Sequence, residues 1–239
     1  MKAILKCSIL PALLLGLVSV AFADTVQLGS YGTNSSPQGN ANSAMVYRGY
    51  SLLPLGPFFN FGPSTTYDIP ATSPWVGPIA NSSWVSNYPN SNPNGGTDPA
   101  NGFYEFTSTF TANGGMNGAH GAYYDGVIDL LADDTLAVWI DGQLIANFAG
   151  GPNSTCQTNM PNCTQIDAVL VTNLWLWDGT NCITVIDDQS NGASAGFDFG
   201  GDLTKTPEPS SLLLLGSGLL GFALVLFRKS KSSGLISHS

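Results

Sequence analysis

Between residues 24 and 205 apolar positions recur at every second residue, and the three-to-four spacing of an amphipathic helix is nearly absent. In GFYEFTSTFTA (102–112), Tyr104, Phe106, Ser108 and Phe110 alternate with Glu105, Thr107, Thr109 and Thr111. That predicts a half-buried strand with one aromatic and one threonine-rich face. Residues 127–131 and 136–140 read as two strands about a turn at 132–135, and Asp141-Gly142 as a tight hairpin into 144–148. Runs at 168–176, 182–186 and 197–203 supply further strands. The Pro- and Asn-rich stretch 35–100 reads as long loops with edge strands such as 45–50, and 86–102 as a mobile surface loop. Strands at this spacing, punctuated by Gly, Asn and Pro, predict an all-β antiparallel sandwich.

Two apolar stretches depart from the alternation. Met1–Ala23 has Lys2 and Lys6 at its start, an apolar core over 9–20 and Ala21-Phe22-Ala23 before Asp24, the pattern of a cleaved secretory signal peptide. Near the other end, 210–227 carries no charge and would make about 27 Å of helix, enough to cross a bilayer core with little tilt. Arg228, Lys229 and Lys231 follow as a basic stop cluster, which places 232–239 in the cytoplasm and the domain outside it. The expected organisation is therefore a signal peptide (1–23), a β-sandwich ectodomain (24–205), a tail (206–231) with a single transmembrane helix at 210–227, and a cytoplasmic end (232–239). Pro207 and Pro209 hold the chain extended at the mouth of that helix.

Charge narrows the partners. From Asp24 to Lys205 there are fifteen acids and two cations, Arg48 and Lys205, so no basic stripe exists for a phosphate backbone and nucleic-acid binding is excluded. Cys156 and Cys163 bracket CQTNMPNC; outside the cytoplasm a disulfide is expected, and the rival zinc reading lacks a third and fourth ligand. Cys182 alternates with apolar neighbours and reads as a buried strand residue.

Several motifs invite chemistry and fail on context. GSGLLG (216–221) spells a dinucleotide fingerprint but lies in an apolar run with no acid following; its small residues suit close helix packing instead. GASAG (192–196) spells a nucleophile elbow, yet the only later histidine is His238, past the basic cluster, and His120 lies upstream. Asp125, Asp129, Asp133, Asp134, Asp187, Asp188 and Asp198 could furnish the two carboxylates of a glycoside hydrolase, or could simply shape turns. Trp75, Trp84, Tyr88, Trp175 and Trp177 are candidates for sugar stacking; for the LWLW pair, a buried core face and a stacking platform are both open.

Two resemblances follow from these residues. SPWVGPIANSSWVS (73–86), GFYEFTSTF (102–110), LLADDTLAVWIDGQLI (130–145), WDGTNCITVIDDQ (177–189) and SAGFDFGGDL (194–203) together resemble a galactose-binding-like jelly roll over about 74–203. That resemblance implies no cofactor beyond a candidate structural calcium, for which Asp133 and Asp134 are the nearest candidates. TPEPSSLLLLGSGLLGFALVLFRKSK (206–231) resembles the PEP-CTERM sorting signal. It implies an exosortase, a membrane transpeptidase, as partner; recognition of Pro207, Glu208 and Pro209; anchoring in the cytoplasmic membrane; and release to the cell surface or medium of a bacterium that makes exopolysaccharide. The expected function is a non-enzymatic structural or adhesive protein of the envelope or matrix. A carbohydrate-binding module for extracellular polysaccharide and a glycoside hydrolase are the alternatives.

Overall fold

The computed structural model describes residues 24–30, 39–53, 59–89, 100–113, 120–148, 156, 160–190, 194–206 and 209–233. The chain divides into two units: Asp24–Thr206, and a second made of Met1–Ala23 and Pro207–Ser239. The expected signal peptide, Pro207, Glu208 and most of the expected cytoplasmic end lie outside the described residues.

The first unit is all β. Its strands are β1 (Thr25–Gly29), β2 (Ala41–Ser51), β3 (Phe59–Asp68), β4 (Val85–Ser86), β5 (Gly102–Ala112), β6 (Gly121–Asp133), β7 (Thr135–Ile140), β8 (Gln143–Ala146), β9 (Asp167–Trp177), β10 (Gly179–Gln189) and β11 (Gly196–Lys205). They hydrogen-bond in the order β8-β7-β10-β5-β2-β3-β4-β11-β6-β9, with β1 added on β11. Every pairing is antiparallel.

The two-residue β4 links a longer arm, β8 to β3, to a shorter one, β11-β6-β9. Although β5 and β11 are far apart along that path, Phe106 of β5 meets Phe197 of β11 at 4.8 Å between ring centroids. The path therefore folds back on itself, and the alternation read from the sequence becomes the inner face of each arm. Tyr104 and Phe106 are buried, whereas Thr109 and Thr111 face solvent. The hairpin after β7 is also as expected: Asp141 (φ 47°) and Gly142 (φ 77°) take the two left-handed positions of a primed turn.

Three local expectations change. The turn after β6 shrinks to Asp134 alone, because β6 runs on to Asp133 and β7 starts at Thr135. β2 is no edge strand; it lies between β5 and β3, with Met45 and Tyr47 in the core. Cys182 is a free, half-buried thiol whose flanking residues Asn181 and Ile183 are the buried ones.

A second, smaller core covers the opposite face of the β11-β6 arm. Trp75 and Trp84 stack at 4.3 Å and 26°, beside Ile69, Ile79, Leu131 and the Cys156–Cys163 disulfide. The disulfide loop is tied to this layer by Val76 N–H to Cys163 O (2.9 Å) and Ala132 N–H to Asn162 O (3.0 Å).

In the second unit the described residues form one helix, α1 (Pro209–Ser233), which includes the expected 210–227. The expected transmembrane helix is corrected, however: among the described residues no helix is long and apolar enough to cross a membrane. Gly216, Ser217, Gly218 and Gly221 dilute the apolar character of α1.

Closing so short a loop by a disulfide stabilises a domain by about 2.5 kcal/mol in the chain-entropy picture. Replacing Cys156 and Cys163 together by Ser is therefore expected to lower unfolding stability by that order in urea titrations. The tryptophan emission of the Trp75–Trp84 layer should change alongside it.

Candidate functional site

The first and last residues of the domain meet. β1 and β11 pair from Thr25↔Thr204 to Gly29↔Gly200. Lys205 N–H donates to Asp24 O at 2.8 Å, and the Asp24 carboxylate accepts from Tyr124 Oη–H at 3.1 Å and from Asn113 N–H at 3.3 Å. One residue further on, Thr206 donates both its N–H (2.9 Å) and its hydroxyl (3.0 Å) to the carbonyl of Tyr123. The residue after the expected signal cleavage and the residue before Pro207 are thus held at one end of the domain.

Beside this junction lies a strip of exposed aromatic surface. Gly121↔Trp177, Ala122↔Leu176 and Tyr123↔Trp175 are paired on β6 and β9. Leu174 and Leu176 point into the core, so Trp175, Trp177 and Tyr123 point outward. Tyr123 and Trp177 are each 51% exposed, and Trp175 is half-buried between them. Tyr123 meets Trp175 at 5.0 Å and 71°, and Trp175 meets Trp177 at 6.1 Å and 90°.

Gly121 makes this arrangement possible. A β-carbon there would come within 2.7 Å of the Trp175 ring, so only glycine lets the indole lie over the strand. Gln143 closes the other side, donating from Nε2 to Trp175 O (2.8 Å) and accepting Trp175 N–H (3.4 Å). A side-chain amide thus stands in for a neighbouring strand where β9 would otherwise present an open edge.

Trp75 and Trp84, expected as stacking candidates, are corrected. They are buried in the second core, with Trp75 Nε1–H donating to Asp133 (2.9 Å) and Trp84 Nε1–H to Val76 O (3.1 Å). Tyr88 is half-buried and lies apart from the strip. Tyr123 was not legible from the sequence as part of this surface. In Tyr123-Tyr124 one ring must face in and the other out, and only the register to β9 decides which.

Of the candidate carboxyls, Asp125 and Asp129 on β6 are half-buried, and the others pack into the domain in two places. Asp198 accepts hydrogen bonds from Ser30 Oγ–H (2.8 Å), Ile79 N–H (2.8 Å) and Ser82, which ties β11 to β1 and to the 79–84 loop. Asp133, Asp134, Asp187 and Asp188 gather where β6 turns into β7 beside the end of β10. Ser190 donates its N–H (2.6 Å) and hydroxyl (3.0 Å) to Asp134, while Asp187 Oδ1 has no hydrogen-bond partner.

Burial first, and the neighbouring carboxyls second, hold the Asp133 and Asp187 carboxyls well above the usual carboxylate range. The same two causes push Asp188 up to about 6. The calcium candidates Asp133 and Asp134 are thus engaged with Trp75 and Ser190. Among the described residues no group of three or more His, Cys, Asp or Glu could hold a metal ion. A cavity of about 180 Å³ between β1, β2, β5 and β10, lined by Gln27, Ser43, Ser108 and Thr109, falls short of the roughly 300 Å³ usual for small-molecule sites.

Residues 205–229 match the PEP-CTERM protein-sorting motif. Comparison with curated proteins finds no match. Among solved structures, the chain is similar to the Podospora anserina GH26-CBM35 β-(1,4)-mannanase at 13% identity and a TM-score of 0.37, covering 77% of this chain and 28% of that one. It is also similar to the Kluyveromyces marxianus β-glucosidase in complex with glucose, at 15% identity and a TM-score of 0.35, covering 72% and 17%. A third similar structure is the Paenibacillus sp. cycloisomaltooligosaccharide glucanotransferase complexed with cycloisomaltoheptaose, at 13% and 0.30, covering 74% and 19%. The chain spans less than a third of the length of each of these proteins. Likeness at this level supports neither a shared site nor a shared activity.

The acid cluster has a signed consequence. Unfolded Asp loses its proton near pH 4, whereas the buried carboxyls keep theirs to higher pH, so over that interval the folded state binds more protons and stability falls as pH rises. For Asp188 the loss is complete once pH passes about 6, and for Asp133 and Asp187 it extends higher. Thermal melts are expected to show a higher midpoint at pH 4.5 than at pH 7.5. Asp187→Asn should narrow that difference by raising the midpoint at pH 7.5 only.

Proposed function

We propose that this chain is an exported bacterial surface protein whose domain is delivered to the envelope or polysaccharide matrix and given up to an exosortase at Pro207-Glu208-Pro209. The observation that carries the reading is the sorting motif matched at 205–229. Its order of parts has a physical logic. Pro209, which has no amide N–H to donate, opens the apolar helix α1, and Arg228, Lys229 and Lys231 close the tail.

The domain's role in this reading is structural or adhesive, on a jelly-roll sandwich. Two features support a non-enzymatic role. Of the carboxyls that might have paired for sugar hydrolysis, Asp133, Asp134, Asp187 and Asp198 are buried inside the domain and Asp125, Asp129 and Asp188 are half-buried, whereas a glycosidase must present two carboxyls to a substrate. The polar surface is also supplied by Thr, Ser and Asn, with charged residues only 10% of the chain, which suits contact with a neutral hydrated matrix.

The test is fractionation of the producing bacterium. Wild-type protein is expected as a shortened form outside the cytoplasmic membrane. Glu208→Ala should accumulate uncut in the membrane fraction, at least several-fold over wild type. Unchanged cutting and release of the variant would overturn recognition at this motif.

A further inference from the structure

We propose that the end of β11 is a clasp that sets the pace of sorting: Lys205 and Thr206 belong to the sheet and to the sorting motif at once, and the exosortase takes the motif only when the sheet lets them go. This rests on the sorting reading and adds a control on that same step.

The overlap is one of residues. The sorting motif is matched from residue 205, whereas β11 runs to Lys205 and the domain to Thr206. Lys205 lies opposite Tyr124 on β6 and donates its N–H to Asp24 O at 2.8 Å. Thr206 gives its N–H (2.9 Å) and its hydroxyl (3.0 Å) to the carbonyl of Tyr123. The opening residues of the motif are thus engaged on one side by the residue before β1 and on the other by β6.

Two uses of these groups exclude each other. An extended peptide is recognised through its main-chain hydrogen bonds, much as a strand is added to a sheet. Each residue has a single backbone N–H to offer, so the amides of Lys205 and Thr206 cannot serve the sheet and an enzyme together. An exosortase that holds the chain from the start of the matched segment must first draw both residues out of their pairing.

The clasp has a defined limit. Leu203 is fully buried in the main core, so opening past it would undo apolar packing. Beyond it Thr204 is exposed, and Lys205 and Thr206 are half-buried. Polar bonds retain this end. The hydroxyls of Thr204 and Thr25 lie 3.4 Å apart. Asp24, which accepts from Lys205, is itself held through its carboxylate by Asn113 N–H (3.3 Å) and by Tyr124 Oη–H (3.1 Å), a hydroxyl that also reaches Asn113 O (2.8 Å). Strand ends of this kind open locally without unfolding the whole. A reaction that needs the open form then proceeds in proportion to its population, provided opening is fast.

The test follows conversion of the full-length chain to its shortened form in pulse-labelled cells of the producing bacterium. A Ser-Gly-Ser-Gly-Lys-Thr insert between Thr206 and Pro207 leaves the sheet its own Lys205 and Thr206 and gives the motif a second pair outside it. Conversion is expected to quicken at least roughly fivefold, the effect of no longer having to break one hydrogen bond. Tyr124→Phe loosens Asp24 and lies outside the matched residues. It should quicken conversion roughly twofold to threefold in the chain without the insert, and not at all in the chain that carries it. A general loss of stability would act on both chains alike, so an equal effect in the two would overturn the clasp. An insert-bearing chain converted no faster than wild type, while its Glu208→Ala form stays uncut, would also overturn the clasp and leave the sorting reading standing. A Glu208→Ala form cut as fast as its parent would overturn both.

Discussion

The domain depends on β11. That strand pairs with β1, β4 and β6, and its two faces serve two cores at once. Phe197 and Phe199 face the main core, where Phe197 meets Phe106 across the sandwich. Asp198 faces the other way and is satisfied by Ser30, Ser82 and the Ile79 amide, so this carboxyl is also the layer's tie to the covering loop. Gly200 leaves room for Ile79, whose methyl would lie 2.8 Å from a β-carbon there, and Gly201 leaves room for the β6 backbone.

Alternation made the strands legible, because a period of two is visible in the residues themselves. Tyr104 and Phe106 behave as their spacing implies, and Asp141-Gly142 makes its turn because those residue types tolerate positive φ. What the sequence could not disclose was partnership. Met45 and Tyr47 look like an isolated stretch amid prolines and asparagines, yet they are interior because β3 and β5 flank them. Trp75 and Trp84 look like exposed loop aromatics, yet the disulfide loop gives them a lid. The sorting tail was readable for the opposite reason: its meaning lies in the linear order of a few residues, with no contact between distant parts.

The acids show how the same composition serves different ends. Asp198 is buried and bonded, whereas Asp187 is buried with one oxygen unpaired among its own kind. A cluster of that sort lowers stability near neutrality, so the packing around it must more than offset the cost. Phe106, Phe197 and their neighbours supply that packing, and the second core braces the same turn through the bond from Trp75 to Asp133.

The pairing of Thr25 with Thr204 spans nearly the whole domain. Contacts of such long separation make folding slow, since chain entropy must be surrendered before they form. A chain synthesised from its amino end leaves the first strand waiting for the last. The sandwich can close only when synthesis has passed Thr204, which ties the completion of the fold to the residues where the sorting motif begins.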